Sequence, residues 1–426
     1  MKRELIDSNI EWLGKIPTNW IVQPLKRVIK ERNELNKSEK ETFLLSLTIQ
    51  DGIIPYSEKN GGGNKAKEDI SKYKIVKKND IVINSMNVVV GASGISKYDG
   101  LVSPVYYVFS ETNKSCGRFY NYLFLNQTFE NHLFGLGNGI LVKINEDNGK
   151  LNTIRKKIPI DKLKNEFVPV PPLEEQIKIS NYLDDKVSLI DETIENNKKE
   201  IKLLEEYKKN YSTELFTKLL GKYSSIKIKK MCSKISKGET PKDMLTEFND
   251  EYCYRFLKCE NLVNREVLPV PLFTISSTTY NNMKRSQLEV NDILFVIAGA
   301  TIGKTAILTE DMLPSNTNQA ISFIRLNDKC DINVKYVEHF LNTRFIDDVI
   351  LLNSVQSAQP NISMEDLGNI KIPIVGIEEK EMIVNNIDNI TKKLNRVIDY
   401  RKNIIEKLEE YKKSLIYEVV TGKIEV

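Results

Sequence analysis

The chain has 426 residues, 41% hydrophobic and 28% charged, which is the composition of folded domains and too long for one core. Its 62 basic and 58 acidic residues leave a formal net charge of +4, so the total does not announce nucleic acid and the distribution of charge has to decide. No apolar run reaches membrane-spanning length, and Met1-Lys2-Arg3-Glu4-Leu5 lacks the apolar core of a signal peptide. Five cysteines (Cys116, Cys232, Cys253, Cys259 and Cys330) suit a reducing cytoplasm; Cys253 and Cys259 lie too far apart for a zinc knuckle and only two histidines exist, His132 and His339, so a structural zinc site is not expected.

Residues 1–167 open with a Trp-punctuated lead, Glu11-Trp12-Leu13-Gly14 and Ile16-Pro17-Thr18-Asn19-Trp20. Strands are expected at Phe43–Ile49, Tyr73–Val76, Asp80–Asn84, Val88–Val90 and Val102–Phe109, separated by Gly- and Asn/Ser-rich turns, and a helix over Phe119–Phe134. Residues 168–222 read as one long helix: Leu183, Val187, Ile190, Ile194, Ile201 and Leu204 recur at three-four spacing, with Asn197 in the seam. Residues 223–371 repeat the order of the first domain. Asp292-Ile293-Leu294-Phe295-Val296 answers Asp80-Ile81-Val82-Ile83, and Tyr336–Ile346 answers the Phe119–Phe134 helix. Residues 372–426 give a second long helix with Ile383, Ile387, Ile390, Leu394, Val397, Ile404, Leu408, Tyr411 and Leu415 in its seam, interrupted by Arg401.

The two helical segments are copies. LEEYKK stands at Leu204–Lys209 and at Leu408–Lys413, an offset of 204 that also aligns Pro169 with Pro373, Glu174-Glu175 with Glu378-Glu379, and Asp184 with Asp388. Proline and then an acidic pair open each helix, and Gly221-Lys222 and Gly422-Lys423 are expected to close them. Some 45 residues span roughly 70 Å at 1.5 Å per residue, and a lone helix of that length cannot bury its seam. The expected fold is therefore α+β: two β-rich domains, each followed by a long helix, the helices packed on each other as an antiparallel coiled coil with a pseudo-twofold axis.

Basic residues cluster locally: Lys65, Lys67, Lys72, Lys74, Lys77 and Lys78, then Arg155-Lys156-Lys157, then Lys227, Lys229, Lys230, Lys234 and Lys237. Lys284-Arg285 follows the polar stretch Ser276–Asn282. Lysine and arginine neutralise phosphates, while Asn, Gln, Thr and Arg read base edges. Any single such lysine is more often a solvated surface residue; the joint pattern carries the reading. The candidate DNA-binding residues are Asn64, Lys65, Lys67, Lys72, Asn87, Asn281, Asn282, Lys284, Arg285 and Lys304. Ala298–Thr305, AGATIGKT, imitates a phosphate loop, but Ala306-Ile307-Leu308-Thr309 reads as strand where such a loop needs a helix N-terminus. Val170-Pro171-Pro172-Leu173 lacks the polar residue of an amino-methyltransfer motif, and no nucleoside-cofactor fingerprint or nuclease or nucleophile set is evident.

EWLGKIPTNW (Glu11–Trp20), VPVPPLEEQIKI (Val168–Ile179), its echo IPIVGIEEKEMI, the tail VVTGKIEV and GASGISKYDGLVSPVYYV (Gly91–Val108) together resemble the specificity (S) subunit of type I restriction–modification systems. The resemblance covers nearly the whole chain; Gly376 and Lys380 depart from it where the first copy has Pro172 and Gln176. It implies two target-recognition domains, each reading half of a split sequence in double-stranded DNA, with the helices as spacers that fix the gap. It also implies two modification (M) subunits docked on that frame and restriction (R) motor–nuclease subunits beyond them, in host defence. S-adenosylmethionine, ATP and Mg would belong to those partners, with no cofactor or catalysis in this chain. Two rivals stand beside this reading: a self-contained DNA enzyme, which would methylate or cut DNA alone, and a protein-binding adaptor, which would show no salt-dependent DNA affinity.

Overall fold

The computed structural model describes residues 3–37, 40–49, 51–59, 69–86, 91–139, 156–241, 243–327, 333–354 and 361–426. It mixes helix and strand and forms two compact units, Met1–Asn196 with Asn403–Val426, and Asn197–Lys402. The division runs through both long helices. No helix among the described residues is long and apolar enough to cross a membrane.

The first unit is built on a four-stranded antiparallel sheet in the order Lys30–Glu31, Tyr106–Ser110, Ile81–Asn84, Ser93–Ile95. Alternate residues face opposite sides. Ile81, Ile83, Tyr107 and Phe109 pack on Phe119, Tyr120, Phe124 and Phe129, while Val82 and Val108 pack on Leu45, Leu47, Ile53 and Val76. The helix expected at Phe119–Phe134 is two, Gly117–Phe124 and Gln127–Leu136, because Asn126 accepts hydrogen bonds from the Thr128 and Phe129 amides and so caps a new start. The strand expected at Val102–Phe109 is likewise two, Gly100–Val102 and Tyr106–Ser110, with Pro104 between them unable to donate to a ladder. Val88–Val90 lies outside the described residues.

The second unit repeats this sheet: Cys232–Lys237, Ile321–Leu326, Ile293–Val296, Thr305–Ile307, again antiparallel throughout. Ile293 and Phe295 pack on Tyr336, Val337 and Phe340 of the helix Val334–Leu341, and Leu294 and Val296 on Leu257, Leu308 and Phe323. The entry to the central strand is the same device in both units. Asn79 and Asn291 take left-handed backbone (φ 72 and 67), and the following aspartates, Asp80 and Asp292, are buried. Asp80 accepts from the Lys77 amide and from Arg32 Nε at 2.8 and 2.6 Å, and Asp292 from the Glu289 amide and Arg325 Nε, both at 2.8 Å. Burial pushes the Asp292 carboxyl up from its ordinary value against the pull of Arg325. AGATIGKT runs into the strand Thr305–Ile307, and not into the helix N-terminus that a phosphate loop requires.

The long helices span Leu173–Lys222 and Ile377–Val420. They start later than the hydrophobic pattern suggests because Phe167–Val170 and Lys371–Pro373 are strands, paired with Ile21–Pro24 and Ser225–Lys227. In the first unit Leu183, Ile190 and Ile194 share a core with Leu415, Ile416 and Val419. In the second, Phe216 and Leu219 share one with Ile383, Val384 and Ile387. There the chains run oppositely, since Asn197 meets Arg401, Lys208 meets Asn395 and Lys222 meets Glu379. The ordering of the seam differs from the sequence reading. Val397 and Tyr411 are exposed, Ile398 is buried, and Val187, Ile201, Leu204, Ile390, Leu394, Ile404 and Leu408 are half-buried. A strict three-four count drifts from the true 3.6-residue turn, which rotates those positions outward. Of the two expected closing glycines only Gly422 acts so, at φ +71; Gly221 lies inside its helix.

Contacts along the pair follow the 204 offset. Lys412 donates to Asp191 at 2.7 Å in the first unit, and Lys208 donates to Asn395, the repeat-equivalent of Asp191, at 2.8 Å in the second. Asn197 and Arg401 are themselves equivalent positions, and Arg401 donates to Asn197 Oδ1 at 2.9 Å while also pairing with Glu200.

Gly238 sits where an added Cβ would lie 1.8 Å from the Thr317 carbonyl oxygen, whereas Gly221 has open space around it. Gly238→Ala should destabilise the protein by roughly 1–3 kcal/mol or more, and Gly221→Ala should stabilise it by about 0.5–1 kcal/mol, both read from denaturant midpoints. Glu130 is half-buried beside Leu125 and Gly91, and burial, partly offset by Lys413, raises its carboxyl to about 7. Its folded value lies above the unfolded one, so the folded state holds a proton that the unfolded state releases, and stability falls as pH rises from the unfolded value towards 7. Glu130→Gln should raise Tm at pH 8 and lose that advantage near pH 5.

Candidate nucleic-acid interface

The polar stretch singled out in the second domain folds into a short helix, Ser277–Asn282, and a turn, Lys284–Ser286. Ser276 caps the helix by accepting from the Thr279 amide, and Asp243 accepts from Ser276, Thr279 and Tyr252 hydroxyls. Tyr280 stacks on Tyr254 with ring centroids 4.0 Å apart. Met283 and Ser286 are buried, Gln287 donates to the Tyr280 carbonyl, and Asn316 donates to that of Met283. The backbone is thus fixed on its inner side, while Asn281, Asn282, Lys284 and Arg285 are all exposed. Beside them, Lys234 is held below its ordinary pKa first by burial and then by the charges of Arg325 and Arg285. Asp292 and Glu289 pull the other way, so both signs of charge border the edge strand Cys232–Lys237. Lys304 is exposed on a different stretch, at the end of the glycine-bearing turn near Cys259.

In the first domain the candidate residues lie in sequence around the strand Lys74–Val76 and beyond. Asn64, Lys65, Lys67, Asn87 and Arg155 lie outside the described residues, and Lys72 is exposed. Two members of its lysine cluster have structural partners. Lys74 is buried, donates to the Tyr106 carbonyl at 2.8 Å and lies over the Tyr107 ring, and burial lowers its pKa. Lys77 pairs with Asp99 at 3.3 Å. Clustering in sequence did not separate these from solvated lysines: among the cluster's described members only Lys74 lies in a strand, Lys74–Val76, and is buried there.

A second polar centre joins each domain to its long helix. In the first unit Asp184 takes Arg118 and the Tyr122 hydroxyl; in the second its equivalent, Asp388, takes Lys335 at 2.7 Å. His339, 2% exposed, also brings Nε2 within 2.9 Å of Asp388, at pairing distance but off the line of a good hydrogen bond. His339 and Lys335 hold the Asp388 carboxyl well below its ordinary value, and burial lowers the His339 imidazole. Glu338, also buried, is bound by Arg265, Thr305 and Asn342. Burial alone would raise its pKa, but Arg265 outweighs that and the net shift is downward. Arg265 reaches the site from left-handed backbone at φ 71, and the group borders a cleft of about 1010 Å³ that also includes Lys392, Arg396 and Asp399. Sequence reading missed this network, whose members are spread from Arg265 to Asp388 with no common motif. Tyr120 and Tyr336 donate to the carbonyls of the equivalent prolines Pro169 and Pro373, at 3.5 and 3.1 Å, a further repeat of the junction.

A sequence model of the family described as type I restriction modification DNA specificity domain matches the chain twice, over residues 24–206 and 221–410. The type I restriction enzyme MjaVIII specificity subunit of Methanocaldococcus jannaschii is 25% identical over 445 residues, covering 97% of this chain and 94% of that protein. The EcoBI specificity subunit of Escherichia coli is 23% identical over 308 residues, covering 67% of this chain and 64% of that protein. Among solved structures, a chain from work on complex assembly and conformational transition of the type I R-M system superposes with a TM-score of 0.69. At 14% identity it covers 96% of this chain and 99% of its own, and it carries the likeness of fold. Two family matches that together take in most of the sequence, on two units that share the order of their four-stranded sheet, establish that this chain belongs to the type I restriction modification DNA specificity family.

Proposed function

We propose that this chain directs a type I restriction–modification complex to a bipartite DNA sequence and itself catalyses nothing. One half-site is read by each β-rich domain. The two long helices form a pseudo-twofold antiparallel coiled coil that sets the gap and docks two copies of the modification subunit. S-adenosylmethionine, ATP and Mg act in the partner subunits. The observation that carries the reading is the repetition itself. One sheet order and one buried Asn-Asp entry recur in both units, and the polar contacts of the helix pair recur at the 204 offset. A duplicated frame supporting diverged surfaces fits two readers of different targets served by two copies of one partner. Exchanging residues 1–167 for the corresponding domain of a relative should change one half of the motif methylated by the assembled complex and leave the other half intact. Change in both halves, or methylation or cleavage by the purified chain alone, overturns the proposal.

Spacing gives an independent check. Four residues inserted in each long helix where the units divide, after Asn196 and after Lys402, add about 6 Å and about 400° of helical turn, which nearly restores the original face. DNA rises 3.4 Å per base pair, so the gap in the methylated motif should widen by roughly one to two base pairs with both half-sites unchanged. An active variant with the original gap shows that the helices do not set it.

A further inference from the structure

The described arginines of the second domain separate by what holds them. Arg265 and Arg325 are neutralised by the buried carboxylates Glu338 and Asp292. Arg255 lies over the Phe248 ring, in an acidic stretch with Glu247, Asp250 and Glu251. Arg344 is tied to Asn210 on the first long helix. Arg344, like Arg285, is exposed with Nε on a neutral acceptor, but it opens the helix Arg344–Ser354 and lies outside the polar turn. Arg285 stands in that turn. It is exposed, no carboxylate among the described residues pairs with it, and its Nε donates to Ser236 Oγ at 3.3 Å. Ser236 is itself buried in the edge strand, where its carbonyl accepts from Ser322 at 2.8 Å. With Nε engaged, the two terminal amino groups of this exposed side chain remain as a fork with no hydrogen bond or ion pair among the described residues. That fork matches the O6 and N7 acceptors that guanine presents in the major groove. The turn carrying it is fixed from within by Met283, Ser286 and Gln287, so little side-chain and backbone freedom is lost on contact. Lys284, its exposed neighbour in the turn, supplies the unspecific attraction to phosphate that a base contact needs beside it.

We propose that Arg285 is a specificity-determining residue that reads a guanine in the half-site of the second domain, with Ser236 as its positioning residue. This rests on the bipartite DNA-reading function proposed above. The test uses the full complex with its modification subunits. The wild-type motif should contain a guanine in the second half. Arg285→Gln should lose discrimination at that one position by roughly ten- to a hundredfold, while the other positions and the first half stay as they are. Placing 7-deazaguanine there, which removes the N7 acceptor, should weaken methylation by the wild type and leave Arg285→Gln unaffected. Ser236→Ala should blur the same position less, and Ser236→Thr should restore it.

A second half without guanine overturns the proposal. So does a wild-type complex indifferent to 7-deazaguanine at every guanine of that half, a readout that needs no variant to fold. A uniform loss of affinity for all sequences with a flatter salt dependence makes Arg285 a phosphate contact and equally overturns it. Failure of the underlying function looks different: the complex then shows no bipartite motif at all.

Discussion

A helix of 50 residues with one apolar face must cover that face or expose a long strip of hydrocarbon to water. Covering it with a second helix is energetically simple but indiscriminate, because similar residues every third or fourth position allow several registers. The Asn197–Arg401–Glu200 group limits that freedom. Asn197 is 8% exposed, and a shift of one turn would leave its amide and the Arg401 guanidinium against apolar neighbours. Such a group contributes less to stability than an apolar pair would and more to choosing a single alignment.

Attachment is equally specific. Each domain is sewn to its helix by a strand pairing just before the helix begins, by a tyrosine hydroxyl on the equivalent proline carbonyl, and by an aspartate one-fifth to one-quarter of the way along the helix. The aspartates are equivalent but their partners are not. Asp184 is held by Arg118 and Tyr122, whereas Asp388 meets Lys335 and the buried His339. The backbone plan was kept while the side chains that satisfy it diverged, as expected when geometry and not any one residue is under constraint.

That divergence explains what could be read in advance. The helices, the duplication and the α+β plan are written in local periodicity and in a repeated string. Breaks were less visible. Asn126 turns one expected helix into two by offering a side-chain acceptor, and Pro104 does the same to a strand by lacking a donor. The candidate interface was legible as a polar, basic stretch around Asn281–Arg285 because exposure and turn chemistry are local properties. Its organisation was not. Which arginine is neutralised depends on Asp292 lying 33 residues from Arg325 and Glu338 lying 73 from Arg265. Lys74 had no sequence mark to separate it from Lys72, although one is buried with its ammonium over an aromatic ring and the other is exposed.

The two units also differ in how their parts are arranged along the chain. The second is one continuous stretch, Asn197–Lys402, whereas the first joins residues 1–196 to 403–426. Gly422 packs so closely on Pro17 and Trp20 that a Cβ would meet the proline ring at 2.5 Å, and Lys423 donates to the Leu13 carbonyl. During synthesis, therefore, the unit begun first cannot be closed until the second has emerged complete. Its core face around Leu183 and Ile190 waits through some two hundred residues of translation without Leu415, Ile416 and Val419 to cover it. The nascent chain can thus close its second unit before its first, and damage to residues 403–426 falls on the unit that begins farthest from them in sequence.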